Sequence, residues 1–400
     1  MDGRHRRSKA NCAALIQLLI AQMLPVIFGI VVSGSMASAQ TANPNATTDA
    51  RHLLAFLADL PFRSDHPIIS GQMLGSIEGF GNGPDDNMSA GYRNYVEKLR
   101  AQTGKTIGVA GVNFGRLTGC SIDNPLMSGH KSPLMNCDGS PPDYRIDVDI
   151  LTQHWRAGGL ISVMWHAPNP WTGGGAHDVR ILGNFSDLYT PRSALYATWR
   201  KMLDDVAVGL KLLQDNGVIV LFRPLHEQNG NWFWWGDHGA NAHPSNEEFV
   251  TLWRDMFNYF TNEKHLNNLL WVFSPNRNDS QQQNIMRFAP GPQFYDIVGL
   301  DYYEDEREKP VDFSTLIAAG KPIAIAEFGP LDSFSSNPST THQYDFLRII
   351  RLRERFPRFS YFMAWHGTHS PQAIIQNRNC EELLTRSDVL SVGNITWKKH

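Results

Sequence analysis

The sequence predicts an α/β protein whose single domain is a (β/α)8 TIM barrel. Three observations support this prediction. Short apolar runs bounded by turns alternate with helical patterns over roughly 340 residues. No linker, repeat or low-complexity tract interrupts this alternation after residue 50. The polar and aromatic residues suited to chemistry follow the ends of the apolar runs, where a barrel places its functional site.

Eight apolar runs have the length and the content of aliphatic residues that are typical of strands buried in a sheet. Their alternation with helical segments favours parallel strands joined by helical crossovers. The predicted strands are Pro67–Gly71, Thr106–Val112, Leu160–Trp165, Val218–Pro224, Leu269–Phe273, Ile297–Leu300, Pro322–Ala326 and Phe359–Ala364.

Segments with apolar residues at helical spacing lie between these runs. A doubly wound open sheet has the same alternation, so periodicity alone leaves that alternative open. No glycine-rich phosphate-binding loop follows the first run, which removes the usual reason for a dinucleotide-binding sheet. The predicted helices are Tyr92–Gln102, Asp147–Ala157, Ser193–Gln214, Asn246–Asn262 and Thr341–Arg355.

The composition is that of a folded chain without a dominant charge. Hydrophobic residues make up 42% of the 400 residues and charged residues 19%, so the chain can bury a large core. The formal net charge of −3 provides no general basic field and argues against non-specific binding of nucleic acid. Eleven Trp and eleven Tyr supply flat aromatic faces that suit sugar rings, although most aromatic residues fill cores.

The N-terminus has the pattern of a secretory signal peptide, residues 1–39. A basic start precedes the apolar stretch Ala13–Val32, and Ala37–Ala39 fits the small-residue cleavage rule. An uncleaved membrane anchor is the alternative interpretation, since the apolar stretch is rather long. We therefore expect a secreted protein, extracellular or periplasmic, with a short polar linker at residues 40–50 and the folded domain at 51–400.

Export gives the remaining cysteines a context. Cys120 and Cys137 enclose a loop rich in Pro, Gly and Ser, so we predict a disulfide between them. Cys380 is then the unpaired cysteine, which we expect to be a buried free thiol. No Cys or His pair has the spacing of metal ligands, so no metal site is predicted.

The fourth apolar run ends in a cluster of polar residues. His226 and Glu227 follow Val218–Pro224, and charged groups at the end of a core strand are costly unless they are paired or used. The segment Trp232–Trp235 then places three Trp and one Phe in one loop. Such an aromatic loop either binds a ligand or folds back into a satellite core.

A second carboxylate ends the seventh apolar run. Strand alternation places Ile323, Ile325 and Glu327 on one face, so Glu327 ends the row that points into the barrel. A structural Glu paired with an Arg would have the same local pattern. Two carboxyls facing each other across a barrel mouth are what glycosidic cleavage needs, one protonated to donate and the other ionised to attack.

At this point the sequence resembles a known family. His226–Gly236 resembles the acid/base motif of glycoside hydrolase family 26, the β-mannanase family, and Ile325–Gly329 resembles its nucleophile strand. The likeness covers about residues 50–380. Three further segments match in order and placement: Gly71-Gln72, Trp165-His166 with Pro168, and Gly299–Tyr303.

The resemblance implies a retaining (β/α)8 glycoside hydrolase with Glu227 as acid/base and Glu327 as nucleophile. Most members of the clan carry Asn before the acid/base, whereas this family and this sequence have His, which requires a local bulge or twist at the end of the fourth strand. We predict that six residues bind substrate: His166, His226, Trp232, Asp301, Tyr303 and Trp365.

Structural alternatives remain for several of these residues. For His166 the alternative is a core histidine whose hydrogen bonds are satisfied. For Asp301 it is a residue that caps a loop. For Tyr303 and Trp365 it is a side chain that only packs. Arg223 either helps to keep Glu327 ionised or forms only a structural ion pair.

The sequence departs from some family mannanases at one position. Those enzymes carry Arg after the Trp of the eighth strand, where this chain has His366. In those enzymes the Arg contributes to a more distant sugar subsite. The departure leaves chain-length preference, and endo or exo cutting, open.

The predicted function is a secreted endo-β-1,4-mannanase that hydrolyses mannan, galactomannan or glucomannan by double displacement. Two alternatives stay open: the same fold and mechanism acting on mixed-linkage β-1,3-1,4-glucan or β-1,3-xylan, and a non-catalytic carbohydrate-binding protein on the same scaffold. The second would be expected to lose a catalytic Glu, and this chain keeps both. We expect a polysaccharide partner, no cofactor, no nucleic acid, no membrane contact after signal cleavage, and a monomer.

Overall fold

Eight parallel strands form the centre of the protein in the computed structural model. The structure describes residues 40–76, 88–115, 143–277, 284–304, 313–330, 344–366 and 371–397. The barrel strands are β1 Gly71–Ser76, β2 Val109–Asn113, β3 Leu160–Trp165, β4 Val220–Pro224, β5 Leu269–Phe273, β6 Ile297–Glu304, β7 Ile323–Pro330 and β8 Phe359–Ala364.

The sheet closes on itself. Each strand pairs in parallel with the next one along the chain, and β8 pairs with both β7 and β1, the latter through Gln72 and Ala364. This closure confirms the predicted (β/α)8 barrel and excludes the open sheet. Residues 38–400 form one compact unit.

The helix Asn246–Asn258 shows how the sequence encodes the outer layer. Ser245 and Glu248 form a capping box, in which each side chain accepts a hydrogen bond from the backbone N–H of the other residue. Its apolar residues recur at helical spacing and form one buried face. That face consists of Phe249, Leu252, Trp253, Met256 and Phe257.

Most helices follow a barrel strand along the chain, whereas Thr48–Asp59 and Leu60–Phe62 precede β1. Two of them contain a wider π-helical turn, Tyr92–Glu97 and Tyr259–Glu263. The α-helices are Thr48–Asp59, Met88–Gly91, Lys98–Thr103, Arg145–Arg156, Tyr196–Asp215, Asn246–Asn258, Ser314–Ala318, Arg348–Arg355 and Cys380–Thr385, and the 3-10 helices are Leu60–Phe62, Phe185–Leu188 and Ile374–Gln376.

The first strand was predicted too early in the sequence. The apolar pair Ile68–Ile69 forms a separate short strand that pairs with Val389–Leu390, and the barrel strand β1 begins at Gly71. A Cβ at position 71 would lie 2.6 Å from the Phe362 carbonyl oxygen, so only glycine permits this approach of β8. The polar Gln72 then sits inside β1, which hides the strand from an apolar pattern.

The last predicted helix begins later than expected. We predicted Thr341–Arg355, but the helix starts at Arg348, and Tyr344–Leu347 are not helical. Phe346 is instead buried against Phe328, and Asp345 forms a bridge with Arg378. Tertiary contacts therefore override the local helical pattern.

The predicted linker, residues 40–50, is packed on the domain. The Ala42 backbone N–H donates to Asp296 Oδ1 (2.6 Å), and the Asn43 side chain donates to Asn267 Oδ1 (3.0 Å). The Thr47 backbone N–H donates to the Asn267 carbonyl oxygen (2.8 Å), and Thr47 caps the first helix. Residues 42–47 thus pack against the amino ends of β5 and β6.

Three further sequence features have different outcomes. Cys380 is buried, as predicted, whereas the signal segment 1–39 and the Cys120–Cys137 pair lie outside the described residues. No helix in the described part of the chain has the length and apolarity that a membrane crossing requires.

Candidate active site

The site residues predicted from the sequence come together at the carboxyl ends of the barrel strands. Glu227 follows β4 and Glu327 lies within β7, and both side chains are buried. The six predicted substrate-binding residues surround them through the contacts described below. The site is therefore assembled from strands far apart in the sequence, as expected for a barrel.

The backbone at the end of β4 is bent, as the sequence required. Leu225 and Glu227 both have positive φ angles, 45° and 54°, a conformation that residues with a Cβ seldom adopt. The Glu227 N–H donates to the Ser274 carbonyl oxygen (2.7 Å), which fixes the bend. Alternate left-handed residues bring both His226 and Glu227 to the mouth, and the cost of the bend is met by surrounding packing.

The Glu227 carboxyl receives a hydrogen bond on each oxygen. Trp232 Nε1 donates to Oε2 (2.7 Å), and Asn276 Nδ2 donates to Oε1 (2.5 Å). Burial and the negative charge of Glu327 nevertheless raise the pKa of Glu227 to about 7. A carboxyl with this pKa can exist in both protonation states near neutral pH.

The Glu327 carboxylate has a different environment. Arg223 Nη2 donates to Oε1, and the Tyr303 hydroxyl donates to Oε2 (2.5 Å). His226 Nε2 lies 3.7 Å from Oε1. A guanidinium and a phenol that both donate to the carboxylate stabilise its ionised form.

Arg223 joins Glu327 to Asp301. Its Nη1 donates to both oxygens of Asp301 (3.0 and 2.8 Å), and Ser274 Oγ also donates to Oδ1 (2.9 Å). Burial opposes ionisation of Arg223, but the charges of Asp301 and Glu327 outweigh it and raise the pKa of Arg223. Asp301 was predicted to bind sugar hydroxyls. Its full burial against Arg223 fits the support of that guanidinium better.

Two histidines line the wall beside Glu327. The rings of His166 and His226 meet edge to face at 4.6 Å, and Phe233 packs against both. Burial, with the nearby Arg223 charge, holds the pKa of His226 well below its ordinary value. Burial and the neighbouring His177 do the same for the pKa of His166. Both rings are therefore neutral at physiological pH, and each can donate a hydrogen bond through one ring nitrogen and accept one at the other.

Aromatic rings flank the carboxyls. Trp232 and Trp365 are both half-buried, and Trp365 packs against a methionine cluster formed by Met73, Met164 and Met363 inside the barrel. A Cβ at Gly230 would lie 2.2 Å from the Trp232 ring, so glycine is needed for this ring position. The remaining aromatic residues of the loop, Phe233, Trp234 and Trp235, are buried in the main hydrophobic core.

One group of side chains has the geometry of metal ligands. His226, Asp301 and Glu327 offer ligand atoms within 4.8 Å of one another. The Arg223 guanidinium binds both of these carboxylates, however, so a positive charge already lies between them. A metal cation there would be repelled, and the group fits a guanidinium better than a metal.

Sequence reasoning missed two residues that follow β5. Asn276 donates to Glu227 and Ser274 donates to Asp301, and neither was named as a site residue. Their position directly after the apolar run Leu269–Phe273 was the available signal, because the ends of all eight strands meet at the same mouth.

A (β/α)8 barrel with two buried carboxyls in contrasting environments at its mouth has the arrangement that a glycoside hydrolase needs. Comparison with known proteins agrees. The profile of glycosyl hydrolase family 26 matches residues 42–391. This chain belongs to glycosyl hydrolase family 26.

Individual relatives cover most of the chain. It is 33% identical to mannan endo-1,4-β-mannosidase A and B of Caldalkalibacillus mannanilyticus over 93% of this chain and 67% of the relative. It is 29% identical to a mannan endo-1,4-β-mannosidase of Bacillus subtilis over 96% of each chain. The solved structure of Bacillus subtilis mannanase man26 is similar with a TM-score of 0.73 and 26% identity, over 89% of this chain and 96% of that one.

Proposed function

We propose that this glycoside hydrolase is a secreted, retaining endo-β-1,4-mannanase with Glu227 as acid/base and Glu327 as nucleophile. The relatives named as mannan endo-1,4-β-mannosidases support the substrate class. The observation that carries the catalytic assignment is the contrast between the two carboxyls. Glu227 has a pKa raised to about 7, whereas Glu327 accepts hydrogen bonds from Arg223 and Tyr303.

In the first step the protonated Glu227 donates its proton to the glycosidic oxygen as the bond to the anomeric carbon breaks. The ionised Glu327 attacks that carbon and forms a glycosyl-enzyme. Arg223 and Tyr303 hold the Glu327 carboxylate in place for the attack. Burial and the Glu327 carboxylate raise the pKa of Tyr303 well above its ordinary value, so the phenol remains a donor.

In the second step Glu227 changes from acid to base. Glu227, now ionised, removes a proton from water, and the water oxygen attacks the anomeric carbon. The bond to Glu327 breaks and its carboxylate is restored. Burial and the Glu327 charge together raise the pKa of Glu227. Because Glu327 is uncharged in the intermediate, the second of these causes is absent when Glu227 must act as a base.

The surrounding residues supply sugar contacts. Trp232 and Trp365 offer aromatic faces on which sugar rings stack, and the neutral imidazoles of His166 and His226 offer hydrogen bonds to hydroxyl groups. These contacts orient the sugar so that its anomeric carbon lies between the two carboxyls.

The decisive experiment compares substrates. The purified protein is incubated with β-mannan, mixed-linkage β-glucan and β-1,3-xylan, with Glu327→Ala as a control for contaminating activity, and the products are sized over time. We expect oligosaccharides of mixed length from β-mannan early in the reaction. Release of monosaccharide alone would overturn endo cutting, and preferential cleavage of another polymer would overturn the mannanase proposal.

Secretion is the second part of the proposal and rests on the basic, apolar and small-residue pattern of residues 1–39. Cell fractionation followed by N-terminal sequencing tests it. We expect the exported protein to begin at Gln40. A chain that retains residues 1–39 in the membrane fraction would favour the anchor interpretation instead.

A further inference from the structure

The amide of Asn276 makes a direct contact with the proposed acid/base. Asn276 Nδ2 donates to Glu227 Oε1 at 2.5 Å, and Trp232 Nε1 donates to the other oxygen at 2.7 Å. Both side-chain oxygens of Glu227 are thus bonded to N–H donors that carry no titratable proton. Asn276 comes from the end of β5, so this contact joins two neighbouring strand ends.

The position of Asn276 does not depend on Glu227. Its backbone N–H donates to Asn229 Oδ1 (2.8 Å), and the Asn229 amide donates back to the Asn276 carbonyl oxygen (2.8 Å). A parallel bridge pairs Asn276 with Asp301 of β6, and the Arg277 N–H donates to the Asp301 carbonyl oxygen (3.0 Å). These contacts fix the backbone of Asn276 independently of its side-chain amide, which donates to Glu227.

Several charged or titratable groups act on Glu227 from the other strand ends. Glu327 on β7 and Asp301 on β6 repel its negative charge, Arg223 on β4 attracts it, and the Tyr303 phenol lies beside Glu327. Burial and Glu327 favour the protonated carboxyl. The two N–H donors and Arg223 favour the ionised one, because an N–H group bonds more strongly to a carboxylate than to a neutral acid.

We propose that Asn276 is a positioning residue that stabilises the ionised form of Glu227 and so allows one carboxyl to serve as acid in the first step and as base in the second. The proposal rests on the acid/base role proposed above for Glu227. Without the amide, burial and the Glu327 charge are opposed less strongly, and Glu227 holds its proton to higher pH.

The test uses the full mature chain with Asn276→Ala. The variant keeps the backbone bonds to Asn229 and Asp301, so its loop is retained. In the pH profile of kcat/KM on β-mannan, the basic limb reports the loss of the acid proton from the free enzyme. We expect this limb to move upward by about one pH unit, the shift that corresponds to a hydrogen bond with a charged acceptor.

A second variant and a matched control separate this role from a merely structural one. Asn276→Asp places a second carboxyl against Oε1, so the pair shares a proton and the basic limb also moves upward. Asn268→Ala removes another buried amide at the opposite end of β5, where Asn268 Nδ2 donates to the Val218 carbonyl oxygen (2.9 Å). We expect that control to lower the melting temperature and leave the pH profile in place.

A direct titration keeps the inference independent of the substrate. Glutamate labelled with ¹³C at the carboxyl carbon is followed by NMR in the wild-type protein and in Asn276→Ala, with Glu227→Gln identifying the resonance. An upward shift of the midpoint in the variant supports the proposal. A midpoint and a basic limb that stay in place or move downward overturn it. Failure of the wild-type protein to cleave β-mannan would instead overturn the proposed function and leave this titration valid.

Discussion

Glu227→Gln is expected to remove a pH dependence of stability whose direction is opposite to that of a carboxyl paired with arginine, such as Asp388. The pKa of Glu227 is raised from 4.5 to about 7 in the folded protein by burial and by Glu327. A raised carboxyl pKa means that the folded state holds its proton more tightly, so its contribution to stability is complete below pH 4.5 and is lost as pH rises through about 7. The difference of about 2.5 units corresponds to about 3 kcal/mol.

The glutamine carries no titrating proton, so this loss disappears in the variant. Its amide faces Asn276 or Trp232 as a second donor, which adds a cost of about 1–3 kcal/mol that does not depend on pH. The free energy of unfolding of Glu227→Gln, relative to wild type, should therefore rise by about 3 kcal/mol between pH 4.5 and pH 8. Urea unfolding of both proteins at intervals across this range measures the difference. A constant difference, or one that falls with pH, would refute the assignment of a raised pKa.

Four other outcomes are expected. Hydrogen bonds from two arginines outweigh burial and hold the pKa of Asp388 at about 2. Because solvent screens this partly exposed carboxylate, Asp388→Asn should lose only about 1 kcal/mol at neutral pH, a loss that fades as pH falls from 3.8 toward 2 in urea titrations. Glu327→Ala should abolish turnover of every substrate, whereas Glu227→Ala should spare the first step with an activated aryl mannoside. Equal slowing of that step and of mannan cleavage would contradict the acid/base role. Proton NMR of early hydrolysis should show the β-anomer first, because carboxyls about 5–5.5 Å apart give retention. An initial α-product would contradict retention. Mass spectrometry of the non-reduced mature protein should find Cys120 joined to Cys137, a loop closure worth roughly 3 kcal/mol, and three free thiols would dismiss it.

The parts of the fold that were predictable from sequence are the segments whose residues are mostly apolar and fully buried. Leu160–Trp165 was predicted at its exact bounds because all six residues are buried in the barrel. β1 was misplaced because Gln72 is polar, and its burial depends on hydrogen bonds with the Trp365 carbonyl oxygen (2.8 Å) and the Ile374 N–H (2.9 Å), about 300 residues away. A local pattern contains no information about such distant partners.

The same distinction holds at the site. Glu227 and Glu327 could be located because each comes after an apolar run in the sequence, a position where a buried charge is costly unless it is paired or used. The two possible roles of Arg223 could not be separated from sequence, and the structure combines them, since one guanidinium binds both Asp301 and Glu327. Asn276 was missed because an amide after a strand is common, and its contact with Glu227 arises only when the barrel closes.

The anchored N-terminal segment decides where the protein can be attached to something else. Ala42 and Thr47 are hydrogen-bonded to residues at the amino ends of β6 and β5, whereas the candidate active site lies at the carboxyl ends of the strands. A strand of five or more residues separates these two faces by roughly 17 Å or more. A solid support, an affinity tag or a second binding module joined at Gln40 would therefore leave the approach of a long polysaccharide unobstructed. Immobilisation through this end offers a route to a reusable biocatalyst.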